Sequence, residues 1–219
     1  MAKRPLPGEV KTRLAPALGA AGAARLYAAF LDDLADQLGA IEEVERHLAV
    51  WPPDPDAAWL APYRERFTCV AQRGDGLAAR MESMVRDALD RDRCSAVVVV
   101  GSDVPTLPVE HVRSAFAALR GGADAVLGPN PDGGYYLLGL VRLVAGVFEV
   151  PMSTPEVLKA TRSALDRAGA RVALLPPWHD VDLPTDLERL RRELTNPAVA
   201  RRAPRTTREL AGRSSPARA

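Results

Sequence analysis

The chain has 219 residues, of which 47% are hydrophobic, and a formal net charge of +1. That length supports one substantial hydrophobic core and leaves little room for two full domains. No segment has the length of a membrane span, the amino terminus lacks the apolar core of a signal peptide, and Cys69 and Cys94 show neither zinc-ligand nor disulfide spacing. We therefore expect a cytoplasmic protein with no membrane span.

Charge is distributed unevenly along the chain. From residue 195 onward six arginines accompany a single glutamate, so the rest of the protein is acidic. An acidic body argues against a nucleic-acid-binding domain. Because the last residues are rich in Arg, Pro, Ser and Ala, the sequence predicts one domain over 1–194 and a disordered, dispensable basic tail over 195–219.

The first nineteen residues form a proline-rich segment without strand or helix periodicity. This loop carries Lys3, Lys11 and Arg13. Since Lys11 and Arg13 flank a single residue, the loop can direct both toward one anion, and paired basic side chains commonly hold a diphosphate. The alternative is an ordinary solvated basic loop.

An amphipathic helix is predicted over residues 20–38. Leu26, Phe30 and Leu34 recur every four residues on its apolar side. Asp33 belongs to the opposite, polar side. This pattern predicts packing and no chemistry.

A glycine-containing turn follows the predicted strand at 67–71. Gly74 lies at the junction between this strand and a helix predicted over 77–91, where a glycine lets the backbone approach a ligand closely. Arg80 falls in the first turn of that helix, where a cation opposes the helix dipole. This unfavourable placement favours a ligand-binding role for Arg80.

The strongest strand signal is the run of four valines over 97–100. A strand that is apolar on both faces is typical of the middle of a parallel sheet. Ser102 and Asp103 follow it directly, and in open α/β sheets ligands bind beyond the carboxyl ends of such strands. Asp103 is therefore a candidate metal or phosphate contact. The alternative is a turn aspartate that caps local backbone amides.

Two later loops also carry carboxylates. Asp132, Gly133 and Gly134 separate two apolar strands, either as a plain hairpin turn or as a loop that admits a sugar or acceptor. Asp180 and Asp182 follow the last strand and would point the same way in extended backbone, which resembles half of a Mg²⁺ or Mn²⁺ site. Asp182 also fits as the N-cap of the next helix.

Strands alternate with helices throughout, which predicts a three-layer α/β fold with a mostly parallel sheet and helices on both faces. In such folds a phosphate-binding loop normally follows the first, central strand. Because no strand is predicted before Lys11, we expect the first strand to be missing from this chain.

Five segments, in order, resemble a bacterial family of proteins with the GT-A, Rossmann-like fold. They read K-R-P-L-P-G-E-V-K-T-R-L-A-P-A-L-G, G-S-D-V-P-T-L-P, D-G-G-Y-Y-L-L-G-L, S-T-P-E-V-L and W-H-D-V-D-L-P-T-D-L. Members are described as glycosyltransferases of the nucleotide-diphospho-sugar transferase superfamily, some linked to arsenosugar biosynthesis. The proline-rich loop is also similar, more distantly, to 2-phospho-L-lactate guanylyltransferases.

The resemblance implies that Lys11 and Arg13 face nucleotide phosphates and that Asp103 and Asp182 hold Mg²⁺ or Mn²⁺. With the patterns above, the expected nucleotide and phosphate contacts are Lys3, Lys11, Arg13, Gly74, Arg80, Ser102, Gly133 and Gly134. Asp132 or Asp180 would accept the proton of an acceptor hydroxyl. The expected activity is glycosyl transfer from a nucleotide-diphospho-sugar to a small-molecule acceptor. Nucleotidyl transfer with release of pyrophosphate and nucleotide binding without catalysis are the alternatives.

Overall fold

Seven strands and eight α-helices alternate along residues 1–212, which the computed structural model of the protein describes. The strands are β1 Ala2–Lys3, β2 His47–Trp51, β3 Thr68–Ala71, β4 Val97–Val100, β5 Ala125–Pro129, β6 Tyr135–Leu140 and β7 Val172–Leu174. The helices are α1 Ala15–Leu18, α2 Ala20–Gly39, α3 Gly76–Arg86, α4 Val109–Arg120, α5 Val157–Arg167, α6 Pro184–Glu193, α7 Pro197–Arg202 and α8 Pro204–Ala211.

The strands form two sheets. The first has the order β1-β2-β3 and is entirely parallel, and the second has the order β4-β6-β5-β7. In the second sheet β6 runs antiparallel to β4 and β5, whereas β5 and β7 are parallel. The predicted α/β class is confirmed. The reversal at β6 arises because the short segment 130–134 connects it directly to β5.

Helices cover both faces of the second sheet because successive side chains of a strand point to opposite sides. On β5, Val126 packs in one buried cluster with Val112 and Leu119 of α4. Its neighbour Leu127 packs in a different cluster with Leu165 of α5. This alternation accounts for the uninterrupted apolar sequence of the strand.

Helix α2 is the longest helix and packs its apolar stripe against the first sheet. Leu26 and Phe30 are fully buried, as the four-residue period predicts. No single helix within residues 1–212 is long and apolar enough to cross a membrane. Segments Thr12–Leu18 and Ala20–Gly39 reach that length and composition only together, and they are bent by 117°.

Strand β1 does precede the basic loop, but it is only two residues long. Ala2 and Lys3 pair with the last two residues of β2, and the Met1 amino nitrogen donates to the Val100 carbonyl oxygen of β4 at 2.8 Å. Burial lowers the pKa of this amino group to about 6. Beyond this contact the sheets are separated by a cavity of about 500 Å³, whose lining includes Met1, Val70, Val98, Val100, Val112 and Phe116.

The prediction of a disordered tail over 195–219 is wrong for residues 195–212, which form α7 and α8; the remaining tail residues lie outside the described part. The anchor is Asp33, which is fully buried rather than on a polar surface. Its carboxylate accepts hydrogen bonds from the backbone nitrogens of Arg205 and Thr206, at 3.0 and 2.8 Å, in the first turn of α8. Leu210 completes the contact as part of the buried cluster that contains α2.

Candidate functional site

The polar loops meet where the strands end. In the second sheet β4, β5 and β7 run in one direction, so Asp103, the segment 130–134 and Asp182 follow strand ends on the same side of the sheet, although β4 and β7 form its opposite edges. Two backbone hydrogen bonds join these loops, from Val181 N to Asp103 O at 2.9 Å and from Trp178 N to Pro129 O at 3.0 Å. The basic loop after β1 lies against the same place through Lys11.

The centre of the site is the ammonium group of Lys11. Its Nζ atom lies 2.5 Å from Asp103 Oδ1 and 2.6 Å from Asp182 Oδ1. The Lys11 side chain is 3% exposed, whereas the side chains of Asp103 and Asp182 are 38% and 42% exposed. Burial alone would lower the pKa of Lys11, but the two carboxylates outweigh it and raise that pKa above its ordinary value. The structure thus brings together three of the predicted site residues.

Two further carboxylates lie close to this cluster. Half-burial, with the negative charges of Asp182, Asp132 and Asp103, raises the pKa of Asp180 to about 6. Asp132 accepts a hydrogen bond from the backbone nitrogen of Gly134 at 2.9 Å. The charges of these four aspartates, which come from three loops, therefore interact with one another and with Lys11.

Asp182 is not a helix cap. Leu183 occupies the N-cap position of α6. Asp186 Oδ2 accepts from the backbone nitrogens of Asp182 and Leu183 at 3.0 and 2.8 Å. The Asp182 carboxylate instead contacts Lys11.

A buried tyrosine links the basic loop to the end of β4. The Tyr27 hydroxyl lies 2.8 Å from Ser102 Oγ and accepts a hydrogen bond from Lys3 N at 2.9 Å. The position of Tyr27 on the apolar stripe of α2 does not reveal this polar partner in the sequence. Ser102 and Lys3 are thereby fixed in position, although the Lys3 side chain is exposed.

The other predicted basic contacts do not touch the carboxylates in the described part of the chain. Arg13 is exposed. The Arg80 guanidinium stacks on the Trp51 ring, 4.4 Å from its centroid. Gly74 has φ +120°, and a Cβ there would lie 2.9 Å from Ala79. The geometry of the turn therefore accounts for a glycine at this position.

The segment 130–134 is a hairpin turn between antiparallel strands. Asn130 N donates to Gly134 O at 2.9 Å, and Gly133 N donates to Asn130 O at 3.2 Å. Gly133 has φ +89°, and a Cβ there would lie 1.8 Å from Pro155 O. The missing side chain at Gly133 thus admits the neighbouring backbone, which explains this glycine without a ligand.

We expect Gly133→Ala to lower the free energy of unfolding by about 3 kcal/mol, because the methyl group would overlap a backbone oxygen in an already unfavourable backbone region. Gly169→Ala is the matched control, since Gly169 has φ +66° with nothing within 4 Å of a Cβ. It should lose only about 1 kcal/mol from backbone strain. Urea unfolding measures both, and equal losses would contradict the proposed overlap.

The carboxylates suit a divalent cation by the chemistry of their oxygen donors. Mg²⁺ is commonly bound by one or two carboxylates together with substrate phosphates and water. Asp103 and Asp182 each place one oxygen within 2.6 Å of a single point, where Lys11 supplies the positive charge. Residues 1–212 contain no group of three or more His, Cys, Asp or Glu arranged to hold a metal by themselves. With two carboxylates alone, a metal here would take its remaining ligands from phosphate oxygens and water.

Solved structures with this fold include one close relative. A protein from Desulfovibrio desulfuricans G20, provisionally named a nucleotide-diphospho-sugar transferase, is 34% identical with a TM-score of 0.88, over 96% of this chain and 91% of that chain. At 12% identity, 4-diphosphocytidyl-2C-methyl-D-erythritol synthase has a TM-score of 0.54 over 74% of this chain and 86% of its own. CMP:2-keto-3-deoxy-manno-octonic acid synthetase complexed with CTP, also 12% identical, has a TM-score of 0.51 over 77% and 88%.

The synthase and the synthetase share the fold with this protein. No curated protein sequence matches the chain significantly. A protein-family model matches residues 34–172, which is more than half of the chain and includes Asp103 and the hairpin 130–134. The chain therefore belongs to the bacterial family described as "Uncharacterized protein conserved in bacteria (DUF2064)".

Proposed function

We propose that this protein is a metal-dependent glycosyltransferase that uses a nucleotide-diphospho-sugar donor and a small-molecule acceptor. The observation that carries this proposal is the convergence of Asp103 and Asp182 on one buried cation at the ends of the strands. The Desulfovibrio relative supports it, because its provisional name describes a nucleotide-diphospho-sugar transferase and its identity of 34% extends over nearly the whole chain.

In this proposal Asp103 and Asp182 hold Mg²⁺ or Mn²⁺, which supplies positive charge to the donor diphosphate and to the departing nucleoside diphosphate. Lys11 and Arg13 contact the same phosphates and stabilise their charge. Ser102 and Gly74, in the loops after β4 and β3, surround the nucleotide together with Lys3 at the end of β1 and Arg80 in α3. These loops begin at strand ends that the two sheets hold in place.

Asp180 is the better candidate for the general base. The acceptor hydroxyl attacks the anomeric carbon, the bond from that carbon to the phosphate oxygen breaks, and the hydroxyl proton passes to the carboxylate. The Asp180 carboxyl is half-buried beside Asp182, Asp132 and Asp103, and in the protein without metal this raises its pKa to about 6. Asp132, whose Oδ1 accepts from Gly134 N, is the second candidate.

Nucleotidyl transfer is the second candidate function. A nucleoside triphosphate has the same phosphate chain next to the metal, so the Lys11 cluster suits both reactions. The fold is shared with a synthetase that was solved with CTP. In this reaction an acceptor phosphate attacks the α-phosphate and pyrophosphate leaves, as in a guanylyltransferase.

The products separate the two reactions. We would incubate the purified protein with Mn²⁺ and a panel of nucleotide-sugars or nucleoside triphosphates, with sugar and phosphorylated acceptors, and identify the released nucleotide by chromatography. Ligands are first selected by thermal shift, since a ligand at a hundredfold excess over its Kd stabilises the protein by about 2.7 kcal/mol. We expect release of a nucleoside diphosphate from a nucleotide-sugar.

Release of pyrophosphate from a nucleoside triphosphate would contradict glycosyl transfer and support nucleotidyl transfer as the function. Metal-dependent nucleotide binding with no turnover would favour a binding protein without catalysis. A chain that binds no nucleotide in the presence of Mn²⁺ would contradict all three functions. Asp180→Asn is the matched variant: it should keep nucleotide affinity and lose turnover about a hundredfold, in the range for loss of a general base.

A further inference from the structure

Lys11 lies on the inner side of the two carboxylates. Its Nζ atom is 5.9 Å from the ring centroids of both Tyr27 and Phe30, which belong to α2 beneath the site. The carboxylates of Asp103 and Asp182 are the more exposed members of the group. Two acidic side chains near solvent are thus held together by a cation that comes from the protein interior.

The backbone on either side of Lys11 is firmly anchored. Val10 is 4% exposed and Leu14 is fully buried, and Leu14 N donates to Lys11 O at 2.9 Å. Lys11 itself has φ 47°, in the left-handed region. Because the backbone is fixed on both sides, a change in the position of the ammonium group requires rotation of the flexible side chain and not movement of the loop.

An ammonium group and a divalent cation compete for the same two oxygens. Lys11 Nζ lies 2.5 and 2.6 Å from them, and Mg²⁺ binds carboxylate oxygens at about 2.0–2.1 Å. Both cations would therefore occupy nearly one point, and their mutual repulsion is strong at such a distance. Asp103 and Asp182 can hold either the lysine or the metal between them.

We propose that Lys11 is an internal counter-cation, which holds Asp103 and Asp182 together in the free protein and turns toward the phosphates when the metal and nucleotide bind. This proposal rests on the proposed function, since it presumes that the two aspartates bind a divalent metal. It adds that Lys11 opposes metal binding in the absence of nucleotide. Metal and nucleotide binding are then positively coupled, because the phosphates provide the ammonium group with new acceptors.

The test measures Mn²⁺ affinity without nucleotide, from the electron paramagnetic resonance signal of free Mn²⁺. Lys11→Met removes the ammonium and should bind Mn²⁺ at least about tenfold more tightly than the wild type, which corresponds to about 1.4 kcal/mol. Lys11→Arg keeps the positive charge and should bind no more tightly than the wild type. Lys159→Met, on an exposed position of α5, removes one lysine far along the chain and should leave the affinity unchanged.

Equal affinity for wild type and Lys11→Met, or weaker binding by the variant, would overturn the role of Lys11 while leaving the metal site intact. If neither the wild type nor Lys11→Met binds Mn²⁺, with or without ADP, the proposed metal dependence is overturned. The proposed exchange between the Lys11 ammonium and the metal is then overturned as well. Circular dichroism verifies that Lys11→Met is folded. If it is not, Lys11→Gln removes the charge but keeps a hydrogen-bond donor, and it is judged by the same outcomes.

Discussion

Asp103→Asn should abolish the metal-dependent part of nucleotide affinity and lower turnover about a thousandfold, which corresponds to about 4 kcal/mol of activation free energy. The physical reason is the loss of one of the two anionic oxygens that converge on the position of Lys11 Nζ. An amide keeps the shape of the side chain and offers a neutral oxygen, so the fold should be retained. Nucleotide titrations with and without Mn²⁺ measure the effect.

Asp166→Asn is the control for the change in net charge. Asp166 lies at the exposed end of α5, where it pairs with Arg162 in the same helix. This variant should show the same enhancement of nucleotide affinity by Mn²⁺ as the wild type. An equal enhancement in Asp103→Asn would remove Asp103 from the metal site.

Deletion of residues 195–219 should destabilise the protein by about 5 kcal/mol. It uncovers the apolar surface against which Leu210 packs, and burial of a leucine contributes about 1.5–3 kcal/mol. It also leaves the Asp33 carboxylate buried without the amides of α8 or the guanidinium of Arg205, at about 1–3 kcal/mol for an unsatisfied buried group and more for a charged one.

The control for this deletion is a chain that ends at Gly212, which keeps both helices. Comparing it with the chain that lacks residues 195–219 isolates the contribution of α7 and α8. Urea unfolding compares the three proteins, and equal stability of the chain without residues 195–219 would show that α8 contributes nothing. Leu210→Ala isolates the apolar part, with an expected loss of about 2–5 kcal/mol.

The strands from β2 onward and the candidate aspartates could be predicted because their signals are local, whereas the two-residue β1 gives no such signal. Four consecutive valines identify β4, and the residues that follow a buried strand are placed by that strand alone. Asp103 was found in this way, and Asp182 through its position after the last strand. Their proximity to each other does not follow from the order of the strands, because β4 and β7 lie at opposite edges of the second sheet; the segment after β7 reaches the end of β4, where Val181 N donates to Asp103 O.

The partners of Lys11 and Asp33 were missed because both depend on residues far along the chain. Lys11 bonds to Asp182, 171 positions away, and Asp33 accepts from Arg205, 172 positions away. The composition of residues 195–219 predicts that they form no hydrophobic core. Helix α8 nevertheless packs through only two buried residues four positions apart, Thr206 and Leu210. A short helix gains its stability from the surface it covers, and the sequence of that helix alone does not describe this surface.

The short strand β1 has a practical consequence for protein engineering. Met1 points back between β2 and β4, with its amino nitrogen buried against Val100 O, so any peptide fused ahead of it leaves through the cavity between the two sheets. A purification tag or a fluorescent label at that end would place additional atoms next to this buried contact. Gly212 is exposed, so attachment on the carboxyl side of α8 avoids this buried contact.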